Sequence, residues 1–415
     1  MIQFEEFTLN NGLQVIVHED SSTPMAAVNI LYNVGSKDED PERTGFAHLF
    51  EHLMFSGSKH IPSFDEVVQS VGGENNAYTS LDVTNFYTLV PAINLETAFW
   101  LESDRMASLN ISEAALEKER KVVIEEFKQR YLNQPYGDLW LKLRPLCYQV
   151  HPYRWPTIGK DIAHIEQAKL ENVQAFFDKF YHPNQAILCV AGNVTSQQVR
   201  TLAEKWFGDI PAGAPYKRQL PEEPVQTQER KLTVRANVPY TVIVKAYKMR
   251  NKAHPDYPKA DMLNDILGQG KSSRLYDKLV KGASSFNTVN SYLTGSLEDG
   301  LLVINGKLHE GAEIEQAEKE IDGIIAELQL ELVSEQELQK VKNQAEASLV
   351  FSEMEILTKA MNLSYAKLMG DTNRINSDLE LLQQVTREDI RQSAREILRP
   401  ENCSTLYYLP SNSGK

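Results

Sequence analysis

Two histidines and a glutamate lie within five consecutive residues of an otherwise apolar segment. His48, Glu51 and His52 belong to the stretch Gly45 to Phe55, whose other large side chains are apolar. This pattern predicts one buried helix of about three turns. Residues four apart project from the same helical face, so His48 and His52 can bind one metal ion together. Since buried imidazoles and carboxylates without partners are costly, the segment predicts a bound metal, with zinc as the natural ion.

Glu51 is the candidate general base. It lies beside the imidazole pair, where its carboxylate can take a proton from a water whose pKa the metal has lowered towards about 7. The order His-x-x-Glu-His is the inverse of the commoner zinc-protease order and is the inverzincin signature. Two histidines at helical spacing also occur by chance. A third ligand would decide between a metal site and a chance pair.

Composition and charge restrict the classes of protein. The chain has 415 residues, of which 42% are hydrophobic and 24% charged, so we expect two domains of roughly 200 residues. The net charge is -14 and the sequence contains no run of lysine and arginine, which makes nucleic acid an unsuitable partner. No apolar run approaches the roughly 18 residues needed to cross a bilayer, and residues 1–6 lack the features of a secretory signal.

These features predict a soluble protein with no membrane partner. We expect a cytoplasmic protein if the sequence is taken as given, and a periplasmic one if a signal peptide has been removed. Cys147, Cys189 and Cys403 lie far apart and show no Cys-x-x-Cys spacing, so we expect reduced thiols in the core.

Two β-forming segments follow the histidine helix. Residues 74–80 and 82–90 are rich in Thr, Tyr and Val, which predicts two strands. Polar strands of this kind can form a sheet edge that accepts an extended peptide by strand addition. They can equally form a hairpin that only water contacts, and the residues alone do not separate the two interpretations.

A second helix carries two glutamates on its apolar face. Ser112 is the predicted cap of a helix over residues 113–129, in which Glu119, Val122, Val123 and Glu126 share one face. Glutamates on an apolar face are costly unless they bind something.

Together these motifs resemble the pitrilysin and insulin-degrading-enzyme superfamily of zinc metallopeptidases, on the short-chain branch with mitochondrial processing peptidase. Glu126 follows His52 by 74 positions, and Glu119 precedes Glu126 by seven, as in that family. The resemblance implies that one Zn²⁺ per chain is bound by His48, His52 and Glu126. It also implies that Glu51 is the general base and Glu119 a supporting catalytic carboxylate.

The resemblance extends to the substrate and to the fold. Asn76, Ala77 and Tyr78 match the family's substrate-binding edge strand, which favours strand addition. The implied fold is α+β, with two homologous α/β domains that are each a mostly antiparallel sheet flanked by helices. We place the zinc-binding domain at 1–212, a Pro- and Gly-rich linker at 213–226 and a second domain at 227–415.

The second domain is predicted to be a repeat without a metal site. A shift of 213 residues aligns Asp261, Asn264 and Asp265 with His48, Glu51 and His52. Active family members usually carry an Arg and a Tyr in this half that hold the substrate backbone. Val280 and Phe286 stand at the expected places, so this chain lacks that anchor.

The missing anchor favours a heterodimer in which a paralogous partner without the zinc motif supplies the Arg and Tyr. The alternative is a homodimer whose anchoring residues have shifted. The predicted activity is zinc-dependent hydrolysis of unfolded peptides in an enclosed chamber. The rival functions are a non-catalytic scaffold subunit of a larger complex and a peptidase specific for presequences.

Overall fold

A computed structural model of the chain describes residues 1–282 and 285–411. The strands are β1 (Glu5–Thr8), β2 (Gln14–Glu19), β3 (Met25–Tyr32), β4 (Glu74–Thr79), β5 (Thr84–Pro91), β6 (Ala186–Gly192), β7 (Arg230–Ala236), β8 (Val242–Met249), β9 (Phe286–Leu293), β10 (Gly300–Leu308) and β11 (Cys403–Pro410).

The α-helices of the first half are α1 (Phe46–Leu53), α2 (Phe64–Ser70), α3 (Leu95–Ser108), α4 (Glu113–Phe127), α5 (Leu139–Cys147), α6 (Ala163–Glu166), α7 (Leu170–Phe180) and α8 (Ser196–Phe207). Those of the second half are α9 (Tyr257–Gly268), α10 (Ile314–Leu330), α11 (Glu335–Ser352), α12 (Ile356–Leu368), α13 (Arg374–Gln384) and α14 (Arg387–Ile397).

The first sheet has the strand order β1-β2-β6-β3-β5-β4. Its neighbouring strands are antiparallel except for β2 and β6, which are parallel. The central strands β3 and β6 are almost fully buried, because nearly all of their side chains are apolar on both faces. Strand β4 lies at the edge, as predicted for the segment that would accept a peptide.

The second sheet repeats this topology. Its order β7-β11-β8-β10-β9 matches β2-β6-β3-β5-β4 strand for strand. The parallel pair also recurs, since β11 is parallel to β7 and antiparallel to β8. The predicted α+β fold with two related, mostly antiparallel sheets is therefore confirmed.

The two compact units are not continuous in sequence. The first unit contains residues 1–129, 155–220 and 350–376, and the second contains 130–154, 221–349 and 377 onwards. Within the first unit, α12 packs on β3 and β6. The domain limits at residues 212 and 227 stay a prediction, but each compact unit includes a segment from the other half of the sequence.

A buried polar network fixes α12 to the first sheet. The Asn29 Nδ2 atom donates to Ser364 Oγ at 2.9 Å, and Asn85 Nδ2 donates to Asn29 Oδ1 at 2.8 Å. All three residues are fully buried. Lys359 of α12 also forms an ion pair with Asp20 at 2.7 Å. Because each buried donor needs its acceptor, this network favours a single packing position of α12 on the sheet.

Residues 208–229, between α8 and β7, form neither helix nor strand. Glu223 in this stretch is nevertheless fixed, because its carboxylate accepts hydrogen bonds from the N–H groups of Gln149, Val150 and His151. Lys248 Nζ lies 3.0 Å from the same carboxylate. Burial raises the pKa of Glu223, but these hydrogen bonds outweigh it and hold the pKa at about 2.

The core contains the three thiols. Cys147, Cys189 and Cys403 are buried and are not joined by disulfides, as expected for core thiols.

Within residues 1–282 and 285–411, none of the helices combines the length and the apolar character that crossing a bilayer requires.

The predicted anchor positions lie around the start of β9. Phe286 is fully buried, and Val280 packs against the core of the second unit. Ala283 and Ser284, which lie between them in sequence, are outside the described residues.

Candidate metal centre

Helix α1 carries the two histidines on its less buried side. Phe46, Leu49, Phe50 and Leu53 are buried in the core of the first unit. The imidazole rings of His48 and His52 lie one turn apart, with ring centroids separated by 4.9 Å. A helix of this sequence is therefore held by its apolar side and presents both imidazoles together.

Helix α4 supplies the carboxylates. Ser112 caps it, as predicted, by accepting a hydrogen bond from the N–H of Ala115. Glu119 and Glu126 lie against the histidines of α1, and Val123, between them on the helix, is buried. The prediction that Val122 belongs to the same face is wrong, because its side chain is 43% exposed. At 100° per residue, Val122 lies about 60° from Glu119, at the margin of the apolar stripe.

His48, His52 and Glu126 come together at one point. One ligand atom from each lies within 4.8 Å of the other two. Glu126 Oε2 is 3.3 Å from His52 Nε2 and 3.7 Å from His48 Nε2. In tetrahedral zinc with bonds of about 2.1 Å, neighbouring ligand atoms are about 3.4 Å apart. The two distances to Glu126 are close to this value, so two imidazoles and one carboxylate suit zinc as ligands, and three protein ligands would leave its fourth position open.

The electrostatics of the centre favour a cation. Burial lowers the pKa of His52, but the carboxylates of Glu119 and Glu126 outweigh it and raise the pKa to about 9. Burial raises the pKa of Glu119, whereas contacts with His52, Lys118 and Ser56 lower it to about 2. The carboxylates thus stabilise a positive charge between the helices. A bound divalent cation would take the place of the imidazole proton, since metal ligands must be deprotonated.

Glu119 contacts the ring of His52 from the side away from Glu126. Its Oε2 atom is 3.6 Å from His52 Nδ1, and its Oε1 atom accepts a hydrogen bond from Ser56 Oγ at 2.9 Å. A carboxylate beside Nδ1 orients the imidazole so that Nε2 faces the metal. This placement suits a supporting role for Glu119.

Glu51 lies next to the proposed ligands, on the side of α1 that faces the edge strand. The hydroxyl of Thr79, the last residue of β4, donates to the carbonyl oxygen of Ala47 in α1 at 3.5 Å. Burial raises the pKa of Glu51, and the neighbouring Thr79 and His52 oppose the shift. Sequence reasoning missed Thr79. Its strand was singled out, but which strand residue faces α1 is a tertiary contact that the pattern does not contain.

The predicted substrate strand has an accessible edge. Asn76 is exposed, and its Oδ1 atom accepts a hydrogen bond from the N–H of Ala77 at 2.8 Å. The Ala77 N–H is therefore not used in the ladder with β5 and points to the open side of the strand. Tyr78 is 39% exposed. An extended peptide could pair with β4 through this free side.

The described residues of the second unit contain no equivalent group of potential ligands. Asp261, Asn264 and Asp265 lie on α9, in the part of the repeat that corresponds to α1. Burial, together with the nearby Asp261, raises the pKa of Asp265 to about 7. Among the residues that the structure describes, only the cluster on α1 and α4 has three potential metal ligands together.

Comparisons of sequence identify the relatives of the chain. Residues 14–138 match the family model described as insulinase (peptidase family M16), and residues 167–345 match the model described as peptidase M16 inactive domain. The chain is 32% identical over 356 residues to the zinc protease PqqE of Helicobacter pylori. That similarity covers 83% of this chain and 79% of the relative.

Comparisons of structure agree. A protease from Helicobacter pylori is similar over 99% of this chain and 100% of its own, with a TM-score of 0.93 and 28% identity. The periplasmic protease PqqL of Escherichia coli is similar over 98% of this chain but only 47% of its own, with a TM-score of 0.81 and 17% identity. From these sequence matches and the shared fold, the chain belongs to peptidase family M16.

Proposed function

We propose that this chain is a zinc-dependent endopeptidase that hydrolyses unfolded peptides. The observation that carries the proposal is the convergence of His48, His52 and Glu126, each with one ligand atom within 4.8 Å of the other two, with a further carboxylate, Glu51, beside them. Three protein ligands with an open fourth position are typical of catalytic zinc, whereas structural zinc is closed by four.

The residues take separate roles in hydrolysis. His48, His52 and Glu126 hold the metal, and Glu119 orients His52. Bound zinc would act as a Lewis acid that polarises the scissile carbonyl and acidifies water. The Glu51 carboxylate accepts the proton of the attacking water and passes it to the leaving amine.

Substrate selection follows from the edge strand. Asn76, Ala77 and Tyr78 would pair with the backbone of the substrate as an added strand of the first sheet. Backbone pairing requires an extended chain, so unfolded peptides are cut and folded proteins are spared. A peptidase specific for presequences would instead cut a basic presequence and leave random peptides intact, which cleavage-site mapping distinguishes.

The active assembly is a dimer with a paralogous partner. Val280 and Phe286 offer neither a charge nor a phenol to a substrate, and both pack in the core of the second unit. This chain matches slightly less than half of PqqL, so one PqqL chain contains about two lengths of this chain. That ratio supports an assembly of two chains of this size. Native mass spectrometry of the complex isolated from its own cells would report the mass of the partner and the zinc content. A homodimer with full activity would contradict this part of the proposal.

Glu51→Gln tests the activity. The amide keeps the size of the side chain but cannot accept a proton, so we expect zinc to remain bound and turnover to fall by about a hundredfold to ten-thousandfold. Glu125→Gln is the matched control, because Glu125 lies on α4 with its side chain 62% exposed. Cleavage of an unfolded fluorogenic peptide and zinc content are measured on each protein. Full turnover by Glu51→Gln would remove Glu51 from its role. A wild-type protein without stoichiometric zinc would favour a scaffold subunit.

A further inference from the structure

The start of helix α1 is bound by a carboxyl group from outside the helix. The Glu39 Oε2 atom accepts a hydrogen bond from the N–H of Gly45, and Oε1 accepts one from the N–H of Ala47, each at 2.9 Å. Glu39 is only 6% exposed. The side chain therefore spans the first turn of the helix that contains His48.

This contact replaces an ordinary helix cap. The first N–H groups of a helix have no acceptor within it, and a side-chain oxygen at the N-cap position usually supplies one. Gly45 occupies that position with a φ of 90°, and it has no side chain to offer. Because α1 is only two turns long, its first turn depends on contacts with the rest of the unit. Glu39 provides two of them.

A buried tryptophan fixes the carboxyl group in turn. Trp155 Nε1 lies 3.1 Å from Glu39 Oε2 and 2.9 Å from the carbonyl oxygen of Ser36, so the indole N–H is shared between the two acceptors. Trp155 is 1% exposed, which leaves it no alternative partner in water. Burial raises the pKa of the Glu39 carboxyl to about 8, against the hydrogen bonds from Ala47, Gly45 and Trp155. A carboxyl group this deeply buried is costly unless the fold uses it.

The residues just before α1 are held by the same part of the chain. Thr44 Oγ1 lies 2.9 Å from His164 Nδ1 and accepts a hydrogen bond from the N–H of Lys160 at 2.9 Å. A Cβ on Gly45 would come within 2.6 Å of the carbonyl oxygen of Ile158. Residues 155–164 thus fix both the chain entering the helix and the carboxyl group that caps it.

We propose that Glu39, held by Trp155, is a positioning residue of the metal centre. Its carboxyl group sets the first turn of α1, and through it the placement of His48 relative to His52 and Glu126. Glu39 touches neither the metal nor the substrate, and it acts through the backbone at Ala47. The inference rests on the proposed zinc site and adds a residue that no motif of that site contains.

The test compares zinc binding by Glu39→Gln, Trp155→Phe and wild-type protein. In Glu39→Gln an NH2 group would face one of the two helix N–H groups and lose that hydrogen bond. We expect its zinc affinity to fall by about tenfold, as for other partners that orient metal ligands. Trp155→Phe should also lower the zinc affinity, by a smaller factor. It provides a second test of the proposal if Glu39→Gln does not fold. Glu42→Gln is the control, since the Glu42 side chain is 82% exposed.

Two readouts separate positioning from simple stabilisation. Competition with a chelator gives the zinc affinity, and the visible absorption of the Co²⁺-substituted protein reports the geometry of the ligands. We expect a changed Co²⁺ spectrum in Glu39→Gln and an unchanged one in Glu42→Gln. A lower melting temperature with wild-type affinity and spectrum in both test variants would overturn this inference alone. A wild-type protein that binds no zinc would overturn the proposed function with it.

Discussion

Glu126→Gln is the substitution that most directly separates a three-ligand zinc site from a pair of histidines on a helix. Glu126 is the only one of the three proposed ligands that lies outside α1. The amide keeps the volume of the side chain and removes its charge. The two histidines stay on the face of α1, so any loss of affinity reports the third ligand.

The size of the effect follows from the number of ligands. Structural zinc sites with four ligands have apparent binding free energies of about 10–16 kcal/mol, or about 2.5–4 kcal/mol per ligand. Each 1.4 kcal/mol is a factor of ten in affinity. We therefore expect Glu126→Gln to weaken zinc binding by about a hundredfold to a thousandfold. The variant protein should lose its zinc under dialysis conditions in which the wild type keeps it.

The assay is competition for Zn²⁺ with a fluorescent chelator, supported by elemental analysis of dialysed protein. Glu125→Gln controls for the loss of one negative charge from the same helix, because Glu125 is the neighbouring residue and is exposed. It should bind zinc as the wild type does. If Glu126→Gln binds zinc with wild-type affinity, or if Glu125→Gln is equally impaired, the three-ligand centre is refuted.

Two further predictions concern stability and substrate binding. Since the pKa of Glu223 is about 2 in the fold, below its ordinary value, its contribution to stability is present above about pH 4.5 and is lost as pH falls towards 2. Glu223→Gln should therefore lower the free energy of unfolding at pH 7 by about 2 kcal/mol and make that free energy fall less steeply in acid. Chemical denaturation at a series of pH values measures both effects, with Glu222→Gln as the control because Glu222 is exposed. An unchanged dependence of stability on pH in Glu223→Gln would contradict the prediction. Ala77→Pro removes an N–H from the open side of β4, so KM for an unfolded peptide should rise about tenfold while zinc affinity stays constant; an unchanged KM would exclude this strand as the substrate site.

The residues of the candidate metal centre could be predicted from the sequence, because those on the same helix are only a few positions apart. His48 and His52 are linked by the period of one helix, and Glu119 and Glu126 by that of another. Whether these helices face each other came from the resemblance to a family, since periodicity does not show which two faces meet. Val122 shows the limit of the same reasoning, because a residue at the margin of an apolar stripe can be exposed.

The contacts that position the centre could not be predicted. Glu39 stands between two other acidic residues, Asp38 and Asp40, yet it is buried and accepts hydrogen bonds from Trp155 and from the N–H groups at the start of α1. Thr79 was part of a predicted strand, but its contact with Glu51 depends on how that strand packs on α1. Such partners are distant in sequence, and no spacing rule connects them.

The order of the strands was not predicted, apart from the edge strand that the resemblance favoured, and neither was the composition of the compact units. A strand's sequence reveals its buried faces but not its neighbours, so the resemblance supplied the two related sheets. Residues 350–376 pack in the unit built mainly from the first half of the chain. An amphipathic pattern such as that of α12 fits either sheet, and the choice depends on buried polar partners such as Asn29 and Ser364.

Anomalous diffraction at the zinc absorption edge tests most directly whether one metal ion is held between α1 and α4. Crystals grown with zinc should show one strong peak per chain, at about 2.1 Å from His48 Nε2, His52 Nε2 and a carboxylate oxygen of Glu126. A peak bound elsewhere, or a Glu126 carboxylate turned away from both imidazoles in the zinc-loaded crystal, would contradict the account.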